Sequence, residues 1–208
     1  MRVFGECLTA ELPTPAAHGE VIKEYDAELY DRQSTHLDSI AEFQAFLGDH
    51  LDGGGPWEII DAPCGTGLAG PILKPWARRL VGLDLVPAMV SQAERLGCYD
   101  DLLVGDLLDM LPRLRAEMVV CHGALYYFRD LAPIVAAVAA CLSQGGYFAF
   151  TDFPAPEGVM ATRGGNARFC RSPSLVRELL ESNGFAEVAS ELRLSFTLPC
   201  LYWIFRKR

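Results

Sequence analysis

Several features that define specialised classes of protein are missing from this chain. Its seven cysteines lie at least 20 residues apart, and no two of them have the CxxC spacing. That absence disfavours a structural zinc site and a compact disulfide framework, because both need closely spaced thiols. We therefore expect no metal, and we expect most of the cysteines to be small apolar core residues in a reducing compartment.

Long hydrophobic runs are missing as well. The longest covers residues 131–142, which is too short to cross a bilayer and is interrupted by Pro133. The first residues, MRVFGECLTAELPTP, include acidic residues and prolines where a secretory signal would need an apolar stretch. These absences predict a cytoplasmic protein with no membrane partner.

Positive charge is scarce. The 208 residues include 18 lysines and arginines against 27 aspartates and glutamates, a formal charge of −9. An acidic surface repels phosphates, so nucleic acid is not expected as a partner. The 50% of hydrophobic residues is typical of a globular protein, and the length favours a single domain with a sizeable core. Whether the protein is a monomer or a homodimer stays open.

The chain alternates between strand and helix signals after an N-terminal helical region. From residue 18 to residue 52 apolar side chains recur with helical spacing, and three glycines and Pro56 follow. The strand-like runs are 57–62, 79–84, 101–105, 117–121 and 146–151, then 185–196 and 200–206. The helical runs are 87–96 and 131–142, with a third that opens at Ser172 and Pro173 and stops at Gly184.

This alternation predicts an α/β fold. Repeated βα units give a Rossmann-like, doubly wound and mostly parallel sheet with helices on both faces. In such sheets ligands bind at the carboxyl ends of the strands. We divide the domain into a helical lid (1–55), a cofactor-binding core (56–152) and a substrate-side loop, helix and terminal hairpin (153–208).

Acidic residues stand at the ends of three successive predicted strands. Asp61 opens a loop with Gly65 and Gly67, which would let the backbone approach a ligand closely. Asp84 ends the second strand, where a carboxylate is placed to bind ribose hydroxyls. Asp106 ends the third. Taken singly, these features also suit a tight turn, a helix start and an N-cap, but their near-constant spacing favours a ligand site.

With these motifs the chain resembles the class I S-adenosylmethionine (SAM)-dependent methyltransferases, from Tyr25 to the C-terminus. The segments YDAELYD, IIDAPCGTG, VGLDLVPAM, YDDLLVGDL and LSQGGYFAF carry the resemblance. It implies a final strand that runs antiparallel to the others, a lid helix with Tyr25 and Tyr30, and SAM as the cofactor. The cofactor-binding residues that it implies are Tyr30, Asp61, Pro63, Cys64, Gly65, Gly67, Asp84, Leu85, Met89, Gly105, Asp106, Leu107, Cys121 and His122.

The resemblance also assigns parts of the cofactor to these residues. Asp61 and the Cys64–Gly67 backbone would hold the methionine part, and Asp84 the ribose. Leu85 and Met89 would flank the adenine, while Asp106 and Leu107 would bind its edge. The backbone near Cys121 and His122 would face the cofactor's amino group.

Two features of the glycine loop bear on this assignment. Pro63 replaces a glycine usual in the family, so this position must not need a positive φ. Gly65, Gly67 and Gly70 also fit the G-x-G-x-x-G pattern of nicotinamide-dinucleotide sites, so the loop alone does not discriminate between the two classes. Asp106 and the antiparallel final strand favour the methyltransferase.

The chemistry needs alignment of a nucleophile with the methyl carbon, and a base only where the acceptor starts protonated. His122 has a suitable pKa range for such a base, and Tyr126 could orient the acceptor; a structural role is the alternative for both. We expect at most one of Tyr126 and Tyr127 to face the pocket. The candidate substrate-binding residues are Tyr127, Asp152 and Arg168. Arg168 is included because the guanidinium group of an arginine can bind a carboxylate of the substrate.

The sequence thus predicts methyl transfer from SAM to a small-molecule acceptor, because no long recognition domain is present. Two alternatives stay open. One is attack at the aminocarboxypropyl carbon of the same cofactor, and the other is a SAM-binding module without catalysis.

Overall fold

The computed structural model describes residues 34–51, 55–162, 168–195 and 198–208. Its helices are α1 (Ser34–His50), α2 (Gly70–Leu73), α3 (Pro87–Arg95), α4 (Leu107–Met110), α5 (Ala132–Cys141) and α6 (Pro173–Ser182). Its strands are β1 (Trp57–Asp61), β2 (Ala77–Asp84), β3 (Asp101–Val104), β4 (Ala116–Cys121), β5 (Leu142–Asp152), β6 (Met160–Thr162), β7 (Phe169–Arg171), β8 (Phe185–Ser195) and β9 (Leu198–Lys207). Short 3-10 turns cover Lys74–Trp76, Leu111–Arg113 and Leu125–Tyr127.

A seven-stranded sheet forms the centre of the fold, in the order β3-β2-β1-β4-β5-β9-β8. The pairs among β1 to β5 are all parallel, whereas β9 runs antiparallel to both β5 and β8. The predicted fold class is therefore confirmed, including the reversed final strand. Because β1 to β4 are parallel, their carboxyl ends lie along one edge of the sheet.

Hydrophobic side chains cover both faces of this sheet. On one face, α4, α5 and α6 pack residues such as Leu107, Val138 and Leu180 against the strands. On the other face, α1 and α2 contribute Phe46 and Leu73. Because helices pack on both faces of the sheet, the side chains of its central strands are apolar on both faces, which is typical of parallel sheets.

The element boundaries agree with the sequence patterns at several capping positions. Val86 is the N-cap of α3 and makes no side-chain capping hydrogen bond, and Gly97 follows the helix with φ +64°. Helix α6 begins at Pro173 after Ser172, and Gly184 follows it with φ +83°. A positive φ is the conformation in which helices commonly end at glycine.

Other expectations differ from the structure. The substrate-side loop predicted to follow residue 152 contains the antiparallel pair β6 and β7, with Ala161 opposite Cys170. Leu198 and Pro199, predicted to separate two strands, belong to β9 and pair with β8. The pairing of β9 with β5 begins only at Leu201, so at Pro199 the strand has a neighbour on one side, as in an edge strand, where a proline is tolerated. Of the predicted helix over 18–52, the structure describes the part from residue 34 onwards, and that part ends at His50.

Six of the seven cysteines fall within the described residues, and all six are free thiols. Five of them are buried, as expected for small apolar core residues. None of the described helices is long and apolar enough to cross a membrane.

Candidate functional site

A pocket opens at the carboxyl ends of β1, β2, β3 and β4. Of the predicted site residues it is lined by Asp61, Pro63, Cys64, Gly65, Asp84, Leu85, Met89, Gly105, Asp106, Leu107, His122 and Tyr127. The pocket also includes residues that were not predicted, namely Ile40, Thr66, Leu68, Ala69, Leu83, Gly123, Ala124 and Phe128. The acidic residues at the three strand ends therefore do share one site.

The loop after β1 forms one wall. Its backbone is tied to β2 by the Cys64 N–H, which donates to the Leu83 carbonyl at 2.9 Å. Gly65 has φ +54°, and a Cβ built on it would meet nothing within 4 Å, so its backbone borders open space. Gly67 has φ +85°, and its Cβ would lie 2.8 Å from that of Ala93 in α3. The two glycines therefore serve different purposes, an open approach at Gly65 and close packing against α3 at Gly67.

Asp84 connects the end of β2 to this loop. Its Oδ2 accepts a hydrogen bond from the Gly65 N–H at 2.8 Å, and its Oδ1 accepts one from the Val86 N–H at 2.9 Å. Burial raises the pKa of this carboxyl, and these backbone hydrogen bonds oppose the rise. The sequence predicted a ligand-binding carboxylate here, and the structure adds that the same group holds Gly65 in place.

Asp61 lies deeper in the pocket, with 1% of its surface exposed. The hydroxyl of Tyr99 donates a hydrogen bond to its Oδ2 at 2.6 Å. Burial raises the pKa of Asp61 to about 7, the Tyr99 hydrogen bond lowers it, and the nearby Asp84 raises it. Sequence reasoning missed Tyr99, which follows α3 in a short connection and carries no motif of its own.

Asp106 is the N-cap of α4. Its Oδ1 accepts a hydrogen bond from the Leu108 N–H at 2.8 Å, which is the capping role considered above as the alternative. The side chain is half-buried and also lines the pocket. Capping thus fixes the carboxylate at the pocket rim beside Leu107.

His122 follows β4 and is held by two residues of α1. Its Nε2 lies 3.0 Å from Ser39 Oγ, and its ring stacks on Phe43 with 4.6 Å between centroids. Ile40, on the same helix, also lines the pocket. Helix α1 therefore covers this side of the site, and Tyr25 and Tyr30 lie outside the described residues.

Tyr126 and Tyr127 differ in exposure. Tyr126 is 2% exposed, packs on Phe153 at 4.6 Å between centroids and does not line the pocket. Its expected role at the acceptor does not fit this placement, because its ring is covered by core residues. Tyr127 does line the pocket, and the guanidinium carbon of Arg168 lies 6.0 Å from its ring centroid and 5.4 Å from that of Tyr126.

Asp152 lies away from the pocket wall, at the end of β5. It is 2% exposed, and Arg171 Nη1 donates to both of its carboxylate oxygens at 3.1 Å. Burial raises the pKa of Asp152 to about 6 against the effect of Arg171. The expected substrate contact does not fit this placement, because both carboxylate oxygens of Asp152 bind Arg171 and so connect the end of β5 to β7. Cys121 is likewise buried and lies outside the lining, as does Gly67.

The lining suits an adenosyl cofactor with an amino-acid tail. Besides the open backbone at Gly65, Thr66 Oγ1 is a buried polar atom with no hydrogen-bond partner among the described residues. Such an atom normally has a partner, so a bound polar group would satisfy it. Cys64 is no competing nucleophile, because burial and the charges of Asp61 and Asp84 raise the pKa of its thiol.

Comparison with known proteins agrees with the fold. Residues 60–150 match the family model described as "Methyltransferase domain". A malonyl-[acyl-carrier protein] O-methyltransferase from Serratia marcescens is 29% identical over 146 residues, which cover 67% of this chain and 57% of that enzyme. The matched region thus spans little more than half the length of that relative.

Solved structures show the same fold. A 1,6-didemethyltoxoflavin-N1-methyltransferase from Burkholderia thailandensis, with S-adenosylhomocysteine bound, has a TM-score of 0.70 at 20% identity and covers 96% of this chain and 93% of its own. A SAM-dependent methyltransferase from Leishmania major has a TM-score of 0.75 at 15% identity and covers 90% and 82%.

The fold is that of an α/β protein with a parallel sheet, and its pocket lies at the carboxyl ends of the parallel strands. Residues 60–150 match a methyltransferase domain, and the solved structures that share the fold include methyltransferases with SAM or S-adenosylhomocysteine bound.

Proposed function

We propose that the protein transfers a methyl group from SAM to a small-molecule acceptor. The observation that carries this proposal is the convergence of Asp61, Asp84 and Asp106 on one pocket, next to a glycine whose backbone borders open space. The superfamily match and neighbours with S-adenosylhomocysteine bound support SAM over a nicotinamide cofactor.

The cofactor side of the pocket follows the strand ends. Asp61 and the Cys64–Gly67 loop would bind the methionine part, whose ammonium group is cationic. Asp84 would bind the ribose hydroxyls while it keeps Gly65 in place, because each carboxylate oxygen has two lone pairs. Leu85 and Met89 would flank the adenine, with Asp106 and Leu107 at its edge. Tyr30 stays a prediction outside the described residues.

The acceptor side is assigned to His122 and Tyr127. SAM supplies an electrophilic methyl group when bound, so the protein has to align the acceptor and exclude water. His122 would receive the acceptor's proton, and its orientation is fixed by Ser39 and Phe43. The Arg168 guanidinium beside Tyr127 would favour an acceptor with a negatively charged group.

The names of the relatives are consistent with this reaction class. The Serratia relative is named as a malonyl-[acyl-carrier protein] O-methyltransferase, and the Burkholderia neighbour is named as a 1,6-didemethyltoxoflavin-N1-methyltransferase.

Calorimetric titration of the purified protein with SAM, S-adenosylhomocysteine and NADH tests the cofactor. We expect micromolar binding of the first two and none of NADH. Binding of NADH alone would overturn the proposal and favour a dinucleotide loop at Gly65, Gly67 and Gly70.

Mass spectrometry of reaction products then tests the chemistry. Incubation with SAM and a panel of carboxylic acids, phenols and amines should yield an acceptor that gains one methyl group. Gain of an aminocarboxypropyl group would establish the second reaction type. Tight SAM binding without turnover on any acceptor class would favour a non-catalytic module.

A further inference from the structure

Tyr99 packs next to the glycine loop after β1 and is not among the residues that line the pocket. Its ring packs against glycines of three different segments, and there is room for the ring because these glycines have no side chain. A Cβ built on Gly67, Gly70 or Gly82 would lie 3.0, 2.7 or 3.0 Å from an atom of this ring. Those separations are below ordinary van der Waals contact, so the ring is held in one place by the loop, α2 and β2 together.

The hydroxyl of this ring contacts Asp61, which does line the pocket. It donates to Asp61 Oδ2 at 2.6 Å, whereas the Gly67 carbonyl is 3.4 Å away. A hydroxyl has one hydrogen, so the shorter contact to the carboxylate is the stronger bond. Hydrogen bonds to an ionised carboxylate are about twice as strong as those between neutral groups.

Among the residues that the structure describes, the other ionisable groups around this pair do not stabilise a negative charge on Asp61. Those that interact with Asp61 or with Tyr99 are Asp84 on β2, Cys64 in the loop, Cys98 beside Tyr99 and Cys121 on β4. Lys74 interacts with Cys98 but is bound to Asp100 at 2.7 Å. Within the described residues, the Tyr99 hydroxyl is therefore the group that favours the ionised form of Asp61.

We propose that Tyr99 is a positioning residue, whose hydroxyl fixes Asp61 and stabilises the carboxylate that receives the cationic end of the cofactor. This inference depends on the proposed function, since it takes the methionine part of SAM to be the group next to Asp61. It adds a requirement: cofactor affinity depends on a side chain that does not line the pocket.

Substitution of Tyr99 by Phe removes the hydroxyl and keeps the ring packed against Gly67, Gly70 and Gly82. Titration with S-adenosylhomocysteine at pH 7 should then give a Kd about tenfold higher or more, since hydrogen bonds to charged groups contribute about 1.5–3 kcal/mol. Binding of methylthioadenosine, which lacks the amino-acid tail, should stay unchanged. Tyr147→Phe is the matched control, because Tyr147 packs on Trp57 away from the pocket.

The pH profile separates positioning from a structural defect. The Tyr99 hydrogen bond lowers the pKa of Asp61, so its loss raises that pKa above about 7. The pH below which S-adenosylhomocysteine affinity falls should therefore move upward in Tyr99→Phe but not in Tyr147→Phe. An unchanged midpoint, or an equal loss of methylthioadenosine affinity, would overturn the proposal.

A second experiment covers the case in which Tyr99→Phe does not fold. Replacement of all tyrosines by 3-fluorotyrosine makes the hydroxyl a stronger donor and should move the wild-type midpoint to lower pH, and an unchanged midpoint contradicts the proposal. If the wild-type protein binds no S-adenosylhomocysteine at any pH, it is the proposed function that fails. If it binds and the tyrosine changes have no effect, only the role of Tyr99 is wrong.

Discussion

His122 is the side chain whose surroundings at the pocket are defined in most detail. Ser39 and Phe43 hold the imidazole from α1, and the ring lines the pocket beyond β4. If it accepts the acceptor's proton, His122→Ala should lower kcat by about 10²–10⁴-fold, the usual contribution of a general base. The Kd of SAM, measured by calorimetry, should change far less.

A control variant separates the base from its support. Ser39→Ala keeps the imidazole and removes one of its contacts, so we expect a smaller loss of kcat than in His122→Ala. Equal losses of kcat and of SAM affinity in His122→Ala would mean that this histidine is structural.

Asp84 gives a second prediction for a single residue. Asp84→Ala removes the proposed ribose contact and also leaves the Gly65 N–H without its 2.8 Å acceptor. SAM binding should weaken by about 1.5–3 kcal/mol, the range for hydrogen bonds to charged groups. Calorimetry measures this, with Asp109→Ala as a control because Asp109 is an exposed aspartate of α4. An unchanged Kd in Asp84→Ala would refute the assignment.

The pocket residues that could be predicted from the sequence are those that follow a predicted strand. Asp61, Asp84 and Asp106 follow directly from strand boundaries, because parallel strands bring their carboxyl ends together. Tyr99 could not be found in this way, because its position depends on packing of its ring against glycines that are distant in sequence. Asp152 is also at a strand end, but its partner Arg171 in β7 removes it from the pocket, and that pairing depends on a hairpin that no periodicity predicted.

Among the structural elements, the loop after β1 contains two glycines for which we predict different effects of substitution by alanine. In Gly65→Ala the new methyl group would enter open space with φ +54°, so we expect reduced SAM affinity and a stability cost of about 1–2 kcal/mol. In Gly67→Ala the methyl group would overlap Ala93, so the loss should appear mainly as a lower Tm.

Thermal unfolding and calorimetry of both variants check this contrast. A Gly65→Ala protein that binds SAM as tightly as the wild type would show that the loop backbone does not approach the cofactor. Because both residues have positive φ, comparison of the two variants isolates the effect of the space around each Cβ.

For the molecule as a whole, the alternation of strands and helices was sufficient to predict the layered fold, because short crossovers allow few arrangements of a parallel sheet. Sequence could not predict the effect of burying several carboxyls in one interior. Burial raises the pKa of Asp61 to about 7 and that of Asp152 to about 6. The stability of the ligand-free protein should depend on pH as a result.

The direction of this dependence follows from proton binding. Between about pH 4 and pH 7 the folded protein keeps a proton on Asp61 that the unfolded chain releases, so the free energy of unfolding increases as the pH falls. Groups whose pKa is lowered, such as Asp100 and Glu117, act in the opposite direction only near or below their ordinary pKa values. Measurements above pH 5 therefore report mainly on the buried carboxyls.

Asp61→Asn should remove the largest part of this dependence. Relative to that variant, the wild type should gain about 2 kcal/mol between pH 8 and pH 5.5, at about 1.4 kcal/mol per pH unit below the folded pKa. Urea unfolding at the two pH values measures the difference, with Asp109→Asn as an exposed control. Equal slopes in wild type and Asp61→Asn would mean that Asp61 stays ionised in the ligand-free protein. SAM affinity should change in the opposite sense over the same range, because a cationic group binds the ionised carboxylate, so acid would stabilise the empty fold while weakening its cofactor complex.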